Sequence, residues 1–264
     1  LLRGAFAIRA AERAEAANEG ADELMLSAIL IAIAAFLAGA VSAVAGFGIG
    51  SILTPLLGLT IGVKLAVAAA AIPHFIGNAL RLWTLRDKVD KQVLKTFGLM
   101  SGAGALAGAL LHAAVATSAL RLVFAIVLII VGAFGVTGWS DHLRFGKRGA
   151  WVAGGVSGLL GGLVGNQGGI RAAAMLALDV RKEVFVATAV AIALIVDGAR
   201  LPVYAFSTGR ELLTIWPLLA GASAAVILGT YFGKSLLGRV PENVFRRLVA
   251  ALLIALGVAM LVVR

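Results

Sequence analysis

Apolar residues run along this chain in long stretches, at 24–46, 50–60, 62–85, 93–114, 120–140, 150–164, 170–179, 184–206, 212–233 and 245–263. A helix rising about 1.5 Å per residue needs about 20 apolar residues to cross a hydrocarbon layer about 30 Å thick. The stretches 50–60 and 170–179 are far too short for that, and 150–164 is short as well. The two shortest follow glycine-rich breaks, GFGIG at 46–50 and GGLVGNQGG at 161–169. This pattern predicts helix–break–half-helix hairpins that dip into a membrane and return, set among full spans.

Composition sharpens the reading. Of 264 residues, 61% are hydrophobic before the 33 glycines are counted, only 14% are charged, and the mean hydropathy is +1.03. Ordinary globular chains are about 45–50% apolar with glycine included. A soluble enzyme is therefore excluded, and the expected fold class is an all-α polytopic membrane protein. Cysteine is absent, which removes disulfides, thiolate zinc sites and cysteine nucleophiles. The formal charge of +10 sits in short clusters between apolar runs, a pattern that reports membrane orientation and not nucleic-acid binding.

Residues 1–23, rich in Ala, Arg and Glu, read as a polar N-terminal tail without the apolar core and cleavage site of a secretory signal. The rest divides into two repeats, 24–140 and 141–264, joined near 140–149. At an offset of 119, residues 50–85 lie over 169–204 without a gap, placing Arg81 on Arg200, Asn78 on Asp197 and Gly50 on Gly169. Gly102 falls on Gly221 at the same offset, and the last helices match at 125, with Arg121 on Arg246 and Gly132 on Gly257.

Loop charge relates the halves. The loop after the 62–85 helix is basic (Arg86, Lys88, Lys91, Lys95) and the next carries only Arg121. In the second half the first such loop carries only Arg210, and the next carries Lys234, Arg239, Arg246 and Arg247. A swapped bias is expected of inverted repeats, each a re-entrant hairpin plus three transmembrane helices; the alternative, eight simple crossings in parallel repeats, spreads the basic residues more evenly over the two faces. Arg144, Lys147, Arg148, Arg181 and Lys182 then join the basic face, which is expected to be cytoplasmic.

Non-helical backbone is tolerated in a membrane only against protein or a water-filled cavity, and half-helix N-termini offer partial positive charge to an anion. Gly46, Gly48, Gly50, Ser51, Gly165, Asn166, Gln167, Gly168 and Gly169 are thus candidates to line a substrate site. The alternative is that these glycines serve close helix packing. Arg171 follows the second break at the depth of the bilayer centre, where charges are costly, and its planar fork of donors suits an oxyanion; a structural ion pair is its other reading. Arg81 and Arg200 either join the site or snorkel to an interface. Asp197 and Arg200, spaced i, i+3, either form a structural pair or serve coupling. Asn78, the neutral counterpart of Asp197, is a candidate anion donor. His74 follows Pro73 in mid-helix and is a candidate proton carrier or a packing residue. His112 and His142 receive no role. No H-E-x-x-H, G-x-S-x-G or Walker pattern occurs; GFGIGS lacks a βαβ context, so no metal, cofactor or catalytic set is expected.

AVAGFGIGSILTPLL and GVSGLLGGLVGNQGGI, each preceding a long helix with an arginine at the matched place, carry a family resemblance over about residues 26–262. The chain resembles the sulfite exporter TauE/SafE family of membrane transporters, of the 4-toluene sulfonate uptake permease type. GNQGG with Arg171 departs from the plainer glycine run and small or apolar residue expected there. The resemblance implies secondary transport of small sulfur-containing or organic anions such as sulfite or sulfonates. The expected partners are a small anion, the lipid bilayer and a coupling proton or sodium ion. The segment GALAGAL at 104–110 is open to packing within the chain or in a homodimer. The function expected is alternating-access transport of a small anion. The alternatives are a carboxylate or other anion permease, an anion channel, or a membrane assembly subunit; an integral-membrane enzyme has least support.

Overall fold

The computed structural model describes residues 25–43, 48–138, 147–165, 168, 171, 175, 182–237 and 242–262. The N-terminal tail, most of the junction near 140–149 and most of the stretch 170–179 lie outside them. Helix is the only regular structure among the described residues. In chain order it comprises α1 (Met25–Ala43), α2 (Ile49–Ile61), α3 (Val63–Leu85), α4 (Lys91–Ala114), α5 (Thr117–Thr137), α6 (Lys147–Val164), α7 (Lys182–Thr214), α8 (Trp216–Leu237) and α9 (Glu242–Val262). Asp90 starts α4 by accepting the Gln92 and Val93 backbone N–H groups on Oδ1 at 2.8 and 3.0 Å.

Among the described residues, six helical segments are long and apolar enough to cross a membrane: Met25–Ala43, Val63–Lys88, Lys91–Ala114, Thr117–Thr137, Val184–Thr214 and Trp216–Gly233. The protein is a multi-pass membrane protein. Their membership differs from the sequence expectation at α1, expected as a hairpin arm but long enough to span. α9 runs over 21 residues, from Glu242 to Val262. Outward-facing side chains are large and apolar, Phe206 being 94% exposed, as a lipid-facing surface requires.

α3 and α7 are the most buried spans and pack on each other at the centre. Around them small residues let backbones meet, the usual device where lipid offers no hydrophobic drive. A Cβ on Gly104 or Gly108 of α4 would run into the Gly155 or Leu159 carbonyl of α6, and one on Gly158 or Gly162 of α6 into the Ser101 or Ala105 carbonyl of α4. GALAGAL is therefore engaged within the chain. α1 and α8 repeat this arrangement, with Gly229 against Phe36, Gly233 against Ala40 and Gly39 against Val226.

These contacts keep a strict register. Phe36 and Ala40 precede Gly155 and Leu159 by 119, while Gly104 and Gly108 precede Gly229 and Gly233 by 125. Between α5 and α9, a Cβ on Gly132 would lie 2.7 Å from Ala250 O, and one on Gly257 would lie 2.9 Å from Ala125 O. Helix pairing is thus preserved when the two halves are exchanged. The offset changes before α8, not after it, because α7 continues past Tyr204 through non-helical backbone at Thr208 to Thr214. Matching Gly102 with Gly221 is corrected accordingly: a Cβ on Gly102 would lie 2.8 Å from Ile195, whereas nothing lies within 4 Å of one on Gly221.

Candidate functional site

The two breaks meet. α6 stops at Gly165, where φ is +72°, and α2 starts after Gly48, where φ is +134°; both conformations strain any residue with a Cβ. A Cβ on Gly50, in the first turn of α2, would lie 2.6 Å from Gly165 O and 3.7 Å from the His74 ring. A Cβ on Gly165 would lie 3.2 Å from Thr54 Oγ1. The amide-bearing start of one helix therefore lies against the carbonyl-bearing end of another, deep in the protein.

A helix end inside the molecule must find partners for its last carbonyls. Here side chains supply them. Arg200 Nη1 donates to Gly161 O at 2.7 Å, the Tyr204 hydroxyl donates to Gly162 O, and His112 Nδ1 lies 2.8 Å from Leu163 O. The His112 and Tyr204 rings meet edge to face at 5.2 Å, and His112 Nε2 lies 3.1 Å from Lys64 O. α3, α4 and α7 thereby fix where α6 ends.

The central charges sit on α3, on α7 and at Arg171. Asp197 is fully buried; its Oδ1 accepts Arg200 Nε at 2.9 Å and lies 2.7 Å from Nη2, and its Oδ2 accepts His74 Nδ1–H at 2.6 Å. Every side-chain nitrogen of Arg200 is engaged. Arg81 donates from Nη1 to Ser42 Oγ on α1 at 2.7 Å. Arg171 feels the charges of Asp197 and Arg200, and Arg81 feels that of Arg171. Exposure is 6% at Arg81, 2% at Arg171 and 1% at Arg200, so none of the three snorkels. Among the described residues, Arg81 Nη2, Arg171 Nη1 and Thr54 Oγ1 are buried without a hydrogen-bond partner.

Among the described residues, three guanidiniums therefore share the interior with one buried carboxylate, and two of them keep a donor unused. An unpaired buried charge is among the most expensive features a protein can hold. The arrangement is suited to a ligand that brings negative charge and acceptor oxygens.

Of the residues expected at the site, Gly48, Gly50, Ser51, His74, Asn78, Arg81, Gly168, Arg171, Asp197 and Arg200 are all buried, and Gly165 lies at the break. Gly168, Arg171 and Met175 are helical and buried at spacings that keep them on one helix face. Gly46, Asn166, Gln167 and Gly169 lie outside the described residues. Asn78 turns its amide back, donating to His74 O at 2.8 Å, with Nδ2 also 3.2 Å from His74 Nδ1. Sequence reasoning missed Ser42, Thr54, His112 and Tyr204. Tyr204 had a signal, since 197, 200 and 204 share one face of α7.

The fold and this centre define a polytopic helical membrane protein built around a buried, net-positive site where two broken helices meet. A family model, described as Sulfite exporter TauE/SafE, matches residues 31–260. The chain belongs to the TauE/SafE sulfite exporter family, which is a family of membrane transporters. No curated protein and no solved structure gives a significant match.

Proposed function

We propose that the protein is a secondary transporter that moves a small anion, sulfite or an organosulfonate, across the bacterial inner membrane by alternating access. The observation that carries this reading is the pair of buried guanidinium nitrogens, Arg81 Nη2 and Arg171 Nη1, left without acceptors among the described residues, which place three arginines and one aspartate in the interior. A bound oxyanion supplies both the missing acceptors and the missing charge. The amides at the start of α2 and the small residues around Gly50 and Gly165 let the anion approach backbone. Sulfur is favoured over carboxylate substrates by family membership.

The two halves act as inverted repeats, each with a re-entrant hairpin, that rock about the shared centre. Support comes from the pairing preserved on exchange of the halves and from the swapped loop charges, with the basic loops cytoplasmic. His74 on α3 and Asp197 on α7 join the halves across this centre and form the coupling site, where a proton is taken up or released as the repeats move.

Equilibrium dialysis of purified protein against radiolabelled sulfite tests the site. The expected result is saturable binding of about one anion per chain, weakened at least about tenfold in Arg81→Gln and in Arg171→Gln with helical content unchanged. Undiminished binding in both variants would remove these arginines from the site.

A further inference from the structure

The halves are alike in how they hold Arg81 and Arg200 and unlike in how they neutralise them. Arg200 Nη1 donates to Gly161 O, and Arg81 Nη1 donates to Ser42 Oγ, each at 2.7 Å; residues 42 and 161 are equivalent at the offset of 119 that relates the two arginines. One turn before Arg200 stands Asp197, which takes up its Nε and Nη2. One turn before Arg81 stands Asn78, whose amide is directed to His74, and Arg81 Nη2 has no acceptor among the described residues. Arg171, whose Nη1 also has no acceptor among the described residues, adds a second positive charge with no counterpart in the first half, where residue 52 is isoleucine. Among the described residues, the buried side chains of Arg81, Arg171, Arg200 and Asp197 together sum to two positive charges.

We infer that the site selects its substrate by charge as well as by shape, and takes a dianion. One negative charge stands where repeat symmetry would put a carboxylate beside Arg81, and the other faces Arg171. Asn78 is then a specificity-determining residue. Its side chain need not touch the substrate; its neutrality leaves Arg81 without a counter-ion of its own. An aspartate there would repeat the Asp197–Arg200 pair and lower the charge required of the substrate to one. This inference rests on the anion-site reading above and adds the charge state of the ligand to it.

The test uses two probes of nearly the same shape at pH 8: sulfoacetate, a dianion, and sulfoacetamide, in which an amide replaces the carboxylate and leaves one charge. Dissociation constants are measured on the purified full-length chain by tryptophan fluorescence. The native protein is expected to bind sulfoacetate at least tenfold tighter than sulfoacetamide. In Asn78→Asp that ratio is expected to fall to one or below, with sulfoacetamide binding within about tenfold of native. Arg171→Gln, which removes a positive charge by another route, gives the same fall and carries the test where Asn78→Asp does not fold. Arg171→Lys, which keeps the charge, keeps the ratio.

Equal binding of the two probes by the native protein would overturn the dianion inference and leave the anion site standing. Binding of neither probe, nor of sulfite, would overturn both. A native preference for sulfoacetate that survives in the folded variants would detach it from these charges. Loss of both probes in a folded variant would show contact recognition in place of charge matching.

Discussion

Asp197→Asn probes the centre with little change of volume. The carboxylate is fully buried and holds Arg200 through Nε at 2.9 Å and Nη2 at 2.7 Å, and His74 through Nδ1 at 2.6 Å. Because Asn is nearly isosteric with Asp, no cavity term is expected, and the effect isolates the charge. Removing one partner of a buried ion pair destabilises by about 3–5 kcal/mol, since the other charge is left without compensation. At about 1.4 kcal/mol per decade that is a fall of roughly a hundred- to several-thousand-fold in the ratio of folded to unfolded protein. Removing both charges is far less damaging. Asp197→Asn/Arg200→Gln should therefore recover most of the loss, by about 2–4 kcal/mol over the single variant, and it returns the buried cluster to its native net charge. Reversible unfolding in mixed micelles, followed through the four tryptophans, measures each corner of this cycle. The double variant should also keep sulfite affinity, because Arg200 is saturated by Asp197 and Gly161. The reasoning is refuted if Asp197→Asn unfolds within about 0.5 kcal/mol of the native protein, the ordinary range for an indifferent substitution. It is equally refuted if the double variant is no more stable than the single one.

Further outcomes follow from the same geometry. Ser42→Ala removes the acceptor of Arg81 Nη1 and should weaken sulfite binding about tenfold in a dialysis assay while helical content stays native. Gly158→Leu drives a side chain into the Ser101 carbonyl and should abolish the folded monomer on size-exclusion chromatography, whereas Gly198→Ala, with nothing within 4 Å, should elute as native protein. The chain lacks cysteine, so Asp87→Cys and Glu211→Cys, both at exposed positions, report sidedness cleanly. A membrane-impermeant thiol reagent applied to one face should label only one of them, and labelling of both from the same face would contradict the inverted arrangement.

The parts legible in the sequence were those written in residue type and spacing. Two glycine breaks, each followed by too few apolar residues to span, marked where α6 and α2 meet. The equivalence of Arg81 and Arg200 could be read at a constant offset, and the structure gives them matching hydrogen bonds. Partners across long sequence distances were not legible. His74 and Asp197 are 123 residues apart and meet only because α3 packs on α7. His112 looked unremarkable near the end of α4, since its partner is a backbone carbonyl orphaned by the break at Gly165, and carbonyls leave no trace in composition. Ser42 meets Arg81, and Thr54 comes near Gly165, only across long sequence distances, so neither stood out among the small residues. The late change of offset was invisible because the glycine spacing of α4 and α8 tolerates both registers until the facing helix is known.

The central claim is that sulfite crosses the membrane through the buried arginine centre, driven by a coupled proton. Its most direct test is sulfite flux into liposomes containing the purified protein, with and without an imposed pH gradient, for the native chain and for Arg171→Ala. The account predicts saturable flux that responds to the gradient in the native protein and disappears in Arg171→Ala, although the variant inserts and stays folded. Flux that neither saturates nor responds to the gradient, or that persists in Arg171→Ala, would contradict it.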